Sequence, residues 1–287
     1  MYYYHDHTSD SSSSSSEDEQ AIVLRRQKIY RPRTQYLTEY DDVEFFDRFR
    51  LTKPTVLALL QQIVAELDSP TNRGGKITLL DQLLLALRFY ASGNMLIGVA
   101  DFIGVSRSSA SKIVQKVSRV MASLRPQYIK FYETEAEMDI AAQEFHAIAS
   151  FPRTIGAIDG TLIRINSPGG VDAEIYRCRK SYFSLNVQTV SDANLKIKDI
   201  VARWPVLSLK RQFENGRYGR FLLIGHSGYT LEPYLMTKVH ATRTPAENLY
   251  NESIIRTRNV VERQYGVWKR RFPILSTGMK VKLRTVM

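Results

Sequence analysis

The chain has 287 residues, which at ~150 per domain allows about two domains, and its 44% hydrophobic and 24% charged residues are the balance of a globular protein with a core to bury. No run approaches the ~20 apolar residues of a membrane span, and the start MYYYHDHTSD has no basic segment ahead of an apolar one; the single cysteine, Cys178, excludes an internal disulfide and a multi-cysteine zinc site and fits a reducing compartment. The formal charge is +11, but residues 1–20 hold five acids and no Lys or Arg, so the other 267 residues set 40 bases against 24 acids, +16, as expected of a protein that meets a polyanion or of one that is merely basic.

In chain order, Ser11 to Ser16 are all serine and run into Glu17, Asp18 and Glu19. Such a tract has almost nothing to bury, so residues 1–35 are expected to be a disordered, acidic, Ser-rich tail. Serines ahead of acids resemble sites for acid-directed kinases, although a solubilising tail explains them more simply. His5 and His7 flank Asp6, a weak metal pattern that a flexible terminus does not turn into a site.

From Asp41 to Ser150 the period is helical: Val56, Leu59, Leu60, Ile63 and Val64 recur at three and four, as do Leu79, Leu80, Leu83, Leu84 and Leu87. An all-α module over 36–150 follows. Within it LIGVADFIGVSRSSASKIVQ (96–115) reads as two helices joined at Gly104, whose freedom to take a positive φ suits a sharp turn. Ala100 is small enough for the second helix to approach, and Ser106 can cap that helix from Arg107. Between Gly104 and Lys130 lie six bases and no acid. The spacing, cap and charge together describe a helix-turn-helix over about 96–122, with Arg107, Ser108, Lys112, Lys116 and Arg119 offered to DNA. The competing reading is a helical hairpin with a solvated basic face.

At Ser150-Phe151-Pro152 the texture changes to short β-rich runs, TIGAIDGTLIRI, FSLNVQTVSD, KIKDIVAR and RFLLIG, followed by an amphipathic helix from about Ala246 to Phe272. Asp159 interrupts the first run, and a charge in a strand that otherwise reads as buried needs a partner or a cation. Alone, Asp159-Gly160 would read as a turn. On the last helix Arg258, Glu262 and Lys269 stand at offsets of 4 and 7, within about 40° of one another, beside an apolar stripe of Val261, Tyr265, Trp268 and Phe272. An acid between two cations suits phosphate chemistry, with the carboxylate on a metal and Arg258 and Lys269 on a nucleic-acid backbone. A salt-bridged helix face is the plainer alternative.

Taken in order, GAIDGTLIRI, NVQTVSDANLKIKDIVARWP, LLIGHSGYTLEPYLMT and RNVVERQYGVWKRRFPIL resemble the PIF/Harbinger group of DDE transposases and the nucleases derived from them, over about Asp41 to Leu275. The resemblance implies an α/β fold, an RNase H-like catalytic domain over 151–287 preceded by the all-α helix-turn-helix module. It also implies two divalent cations, Mg²⁺ or Mn²⁺, that activate water or a 3′-hydroxyl and stabilise the leaving oxygen. Asp159 matches the family's first Asp and Glu262 its Glu. The remaining Asp, normally in Gly-Asp-Ser-Gly-Tyr, is matched by His226, so the implied catalytic and metal-binding set is Asp159, Glu262 and His226. An uncharged imidazole offers one nitrogen where a hard cation wants anionic oxygen, which implies weakened metal binding.

Two further departures accompany His226. After Trp204-Pro205 the family continues with a Gly-Ser-x-His-Asp type segment and a short helix, whereas Val206-Leu207 here runs nearly straight to Phe213, a shortening at 205–213. The family's terminal helix with its Leu-His-Asn type motif is also expected to be missing, since the sequence stops at Met287. The expectation is therefore a nuclear, DNA-binding, transposase-derived protein with a degenerate nuclease site; the alternatives are an inactive DNA-binding adaptor or a poorly folded product of decay. The family also implies a separate Myb-like DNA-binding partner that brings the protein into the nucleus, with a cytoplasmic pool also expected, and the chain's own import signal is weak, since Lys269-Arg270-Arg271 falls on a predicted helix.

Overall fold

The computed structural model describes residues 34–67, 77–202 and 208–281, so nearly all of the expected tail, and residues 203–207 of the shortened connection, lie outside it. The described residues form one compact unit. It begins with helices α1 (Tyr36–Glu39), α2 (Asp42–Phe49), α3 (Lys53–Leu67), α4 (Leu79–Ser92), α5 (Leu96–Ile103), α6 (Arg107–Ser123), α7 (Arg125–Tyr128) and α8 (Glu135–Ala149). Side-chain caps start several of them: Asp41 with Glu44 on α2 and Thr134 with Glu137 on α8 are reciprocal capping boxes, and Thr78 caps α4. At the expected turn Gly104 has φ +74° with open space where a Cβ would sit, so backbone conformation and not crowding calls for glycine there. Ser106 caps α6 by accepting the Ser109 N–H at 3.1 Å.

Strands β1 (Thr154–Arg164), β2 (Ser184–Ser191) and β3 (Ile197–Val201) follow, then α9 (Ser208–Glu214), β4 (Leu222–Gly225), β5 (Leu235–Met236), α10 (Pro245–Arg271) and α11 (Ile274–Thr277). The sheet order is β3-β2-β1-β4-β5. The first three strands form an antiparallel meander, and β4 and β5 lie parallel to β1 and β4. α10 begins within a residue of expectation because Thr244 and Glu247 make a capping box with Pro245 inside the first turn.

After the connection at Pro205, where a shortening relative to the family is expected, the described residues resume in a helix. α9 is present: Leu209 and Phe213, four residues apart, are both buried against Ile158, Val190, Leu223 and Leu235. β5, two residues long, was not anticipated at all.

A single core spans the change of texture at Ser150-Phe151. Ile163, Ile165, Leu185 and Val187 of the sheet pack in one cluster with Phe45, Leu83, Leu87, Ile103 and Val117 of the helices, together with Ile274 and Leu275. α11 packs on both α4 and β1. It comes so close to the end of α4 that any side chain at Gly93 (φ +63°) would run into the Thr277 hydroxyl. A smaller cluster of Ala157, Val260, Val261, Tyr265 and Phe145 seats α10 and α8 on β1.

Candidate active site

Asp159 lies on β1 opposite Thr189 of β2, on the face that α10 covers. α10 runs beside β1 and is bonded to it along its length. Arg258 NH1 reaches Asp159 Oδ2 at 3.2 Å, and NH2 reaches Glu262 Oε1 at 2.6 Å, so one guanidinium bridges the two carboxylates. The Arg258 side chain is 16% exposed, Asp159 20% and Glu262 49%. Asp159 Oδ1 accepts the N–H of Gly160 at 2.8 Å. The Tyr265 hydroxyl donates to the Asp159 carbonyl at 2.6 Å, and the buried Thr189 hydroxyl stands 2.9 Å from it and 3.1 Å from Gln264 Oε1. One turn beyond, Lys269 Nζ donates to Thr161 Oγ1 at 2.5 Å.

Burial sets the electrostatics of this row. It pushes the Tyr265 hydroxyl up to about 12, with the Thr189 bond opposing and the Asp159 charge adding to it. Burial also pushes the Lys269 ammonium down. The Tyr229 hydroxyl, beyond the end of β4, is raised well above the usual tyrosine range by burial and then by the charge of Asp159, against a Gln188 bond that lowers it. Tyr229 stood in the recognised Gly-x-Ser-Gly-Tyr motif, yet nothing in that pattern announced that its hydroxyl would face Asp159.

His226 follows β4, and the pairing of Ile158 with Gly225 puts Asp159 and His226 side by side as the next residues of two parallel strands. Its side chain does not join the acids. Nδ1 accepts the N–H of Gly228 at 3.0 Å, which leaves Nε2 to carry the ring proton whenever the ring is uncharged. Asp159 and Glu262 are therefore brought together, and His226 is brought near without a bond to either.

The donor set decides whether the implied cations fit. Arg258 bridges both carboxylates and its single charge offsets one of their two, one Asp159 oxygen is spent on a backbone N–H, and the adjoining imidazole has its acceptor nitrogen engaged. Among the described residues no group of three or more His, Cys, Asp or Glu is placed to hold a metal ion. Two hard divalent cations need shared anionic oxygens, and this arrangement does not supply them.

The expected DNA-facing residues divide. On α6 Ala110, Ile113, Val114, Val117 and Val120 are buried, while Arg107, Ser108, Lys112 and Arg119 are exposed. Ser108, Lys112 and Arg119 fall within about 40° of one another. Lys116 is half-buried and donates to the Leu67 carbonyl at 2.6 Å, closing the end of α3. Arg258 and Lys269 both turn inward.

Residues 158–287 match the family described as DDE superfamily endonuclease. The chain is 31% identical over 249 residues to the protein named "Putative nuclease HARBI1" from Bos taurus, and equally to that from Homo sapiens, covering 83% of this chain and 71% of each relative. It is 26% identical over 226 residues to "Protein ALP1-like" from Arabidopsis thaliana, covering 69% of this chain and 55% of that protein. No solved structure matches. No helix among the described residues is long and apolar enough to cross a membrane.

Proposed function

The chain belongs to the family of Harbinger transposase-derived nucleases within the DDE endonuclease superfamily, and from that premise we propose that it is a nuclear DNA-binding protein on the scaffold of a metal-dependent phosphodiester hydrolase whose site is degenerate. The superfamily implies an RNase H-like fold, with which the mixed five-stranded sheet agrees. DNA is held by the α5–α6 helix-turn-helix through Arg107, Ser108, Lys112 and Arg119, and a Myb-like partner brings the protein into the nucleus.

The observation that carries the loss of catalysis is the Arg258 bridge between Asp159 and Glu262. In an active relative Mg²⁺ or Mn²⁺ would polarise the phosphodiester and generate the attacking oxygen. Here the chain's own cation stands between the carboxylates, and the residue that would complete the anionic set is His226. Arg258, Tyr265 and Lys269 also tie α10 to β1.

The test is nicking of supercoiled DNA in Mg²⁺ or Mn²⁺ by the parent, His226→Asp, and His226→Asp/Glu262→Gln. The parent is expected to be inert. His226→Asp should regain metal binding at best in part and little cleavage, since Arg258 still spans Asp159 and Glu262. Robust metal-dependent nicking by the parent that disappears in Glu262→Gln would overturn the degenerate-site reading.

A further inference from the structure

On the edge of β1 that faces β4, strand pairing stops at Ile158 and resumes only where the Met279 N–H meets the Arg164 carbonyl at 2.8 Å. Between them, among the described residues, no strand covers the edge. At this end of β1 lies a cleft of 350 Å³, lined by Leu162, Arg164, Tyr182, Lys269, Leu275 and Ser276. Its lining holds two cations, two hydroxyls and no acid.

Neither cation is matched by an anion. Among the described residues Arg164 makes no ion pair; its guanidinium lies over the Tyr182 ring at 5.3 Å and its side chain is exposed. Lys269 meets only the uncharged Thr161 hydroxyl, and the lowering of its ammonium by burial marks a charge that lacks compensation. Some basic side chains elsewhere do find acids, as Arg125 finds Asp199, Arg177 Glu174 and Arg220 Asp139. A guanidinium, an ammonium and hydroxyls around an acid-free, partly apolar groove are the donors that phosphate oxygens take.

Position connects the cleft to the acid pair. Lys269 lies seven residues past Glu262 on α10, an advance of about 10 Å, and Thr161 lies two past Asp159 on the same face of β1. These advances, about 10 Å along α10 and about 7 Å along β1, equal about two to three nucleotides of rise along a duplex strand.

We propose that Arg164 and Lys269, with Tyr182 and Ser276, form a phosphodiester-binding subsite that holds the nucleic-acid backbone about two to three nucleotides from Asp159 and Glu262. The inference rests on the DNA-binding reading above and adds a second, independent place of contact on the sheet side of the protein.

The experiment measures binding of labelled single-stranded and duplex oligonucleotides of about 20 nucleotides by fluorescence anisotropy across a salt series, with inorganic pyrophosphate as competitor. Arg164→Gln, Arg164→Lys and Arg164→Gln/Lys269→Gln are compared with Arg107→Ala/Lys112→Ala/Arg119→Ala on α6. The double variant should weaken DNA binding about tenfold and lower the duplex salt slope by about 1.8, and Arg164→Lys should retain the slope because it keeps the charge. Arg164 is exposed, so Arg164→Gln alone reads the subsite even if loss of Lys269 disturbs packing; it should lower the slope by about 0.9. An unchanged affinity and slope in the cleft variants beside a loss in the α6 variant would overturn the subsite and leave DNA binding intact. No loss in either would overturn the DNA-binding reading itself. Pyrophosphate binding that depends on Arg164 while DNA binding does not would make the cleft a small-anion site and equally refute the proposal.

Discussion

Replacing Arg258 by Met removes the cation between Asp159 and Glu262 while keeping most of the side chain's length. Breaking a buried ion pair by deleting one partner costs about 3–5 kcal/mol, whereas an exposed pair contributes about 0–1 kcal/mol. The site lies between these limits: Asp159 is one-fifth exposed and keeps its Gly160 N–H bond, and Glu262 is half in water. A loss of about 2 kcal/mol is expected, most of it from Asp159. In a double-mutant cycle, Asp159→Asn/Arg258→Met should lose at least about 1 kcal/mol less than the two single changes added together, since only the half-exposed Glu262 is then left without its cation. Urea unfolding at constant m reads both quantities. Mn²⁺ supplies the second half of the test. With the guanidinium in place the parent's midpoint should not move, while in Arg258→Met an ion at ten times its Kd would return about 1.4 kcal/mol. A variant within about 0.5 kcal/mol of the parent, a cycle without coupling, or equal Mn²⁺ stabilisation of both proteins would refute the view of Arg258 as an internal counter-ion.

Arg107→Ala/Lys112→Ala/Arg119→Ala should reduce DNA affinity and lower the duplex salt slope by about 2.7, whereas Lys116→Ala, which unties the end of α3, should appear as about 1 kcal/mol of stability and little change in binding; an unchanged slope in the triple variant would end the α6 assignment. Phe213→Ala should cost about 3–5 kcal/mol in chemical unfolding, because Phe213 is buried against Tyr218 and Tyr234; a loss under about 1 kcal/mol would mean that α9 is not part of the fold. Stability should fall as pH rises from about 10 toward 12, since Tyr36 and Tyr265 are pushed up to about 12 by burial and the unfolded chain ionises its tyrosines near 10. The sign follows from proton counts: in that window the folded state holds more protons, so stability complete below pH 10 is lost as pH rises. Tyrosinate absorbance should appear together with unfolding, and ionisation of every tyrosine at pH 10 with the fold intact would contradict it.

Much of the local structure was legible from residues alone. The turn at Gly104, the Ser106 cap, the strand bearing Asp159 and the limits of α10 all follow from signals carried within a few positions, because caps, positive φ and hydrophobic period are local physics. β5 escaped because two residues, Leu235 and Met236, have no period to detect. α9 left a trace in the four-residue spacing of Leu209 and Phe213, but a seven-residue helix beside an apparent shortening is stabilised by the core it meets and not by its own propensity. Texture alone likewise separated helices from sheet at Ser150-Phe151. Only burial of Ile163, Ile165, Leu185 and Val187 among the helical side chains makes the two one core.

The site shows the same division. Helical spacing put Arg258, Glu262 and Lys269 on one side of α10, and strand order brought that side to Asp159. Periodicity relates side chains to their own helix axis and carries no information about what lies opposite. The packing of α10 on β1 therefore decided that Arg258 closes on both acids and Lys269 on Thr161, and the packing of α6 on α3 decided that Lys116 turns to the Leu67 carbonyl. A long cation reaches whichever acceptor the neighbouring element presents, and that neighbour is distant in sequence and fixed only when the whole core closes.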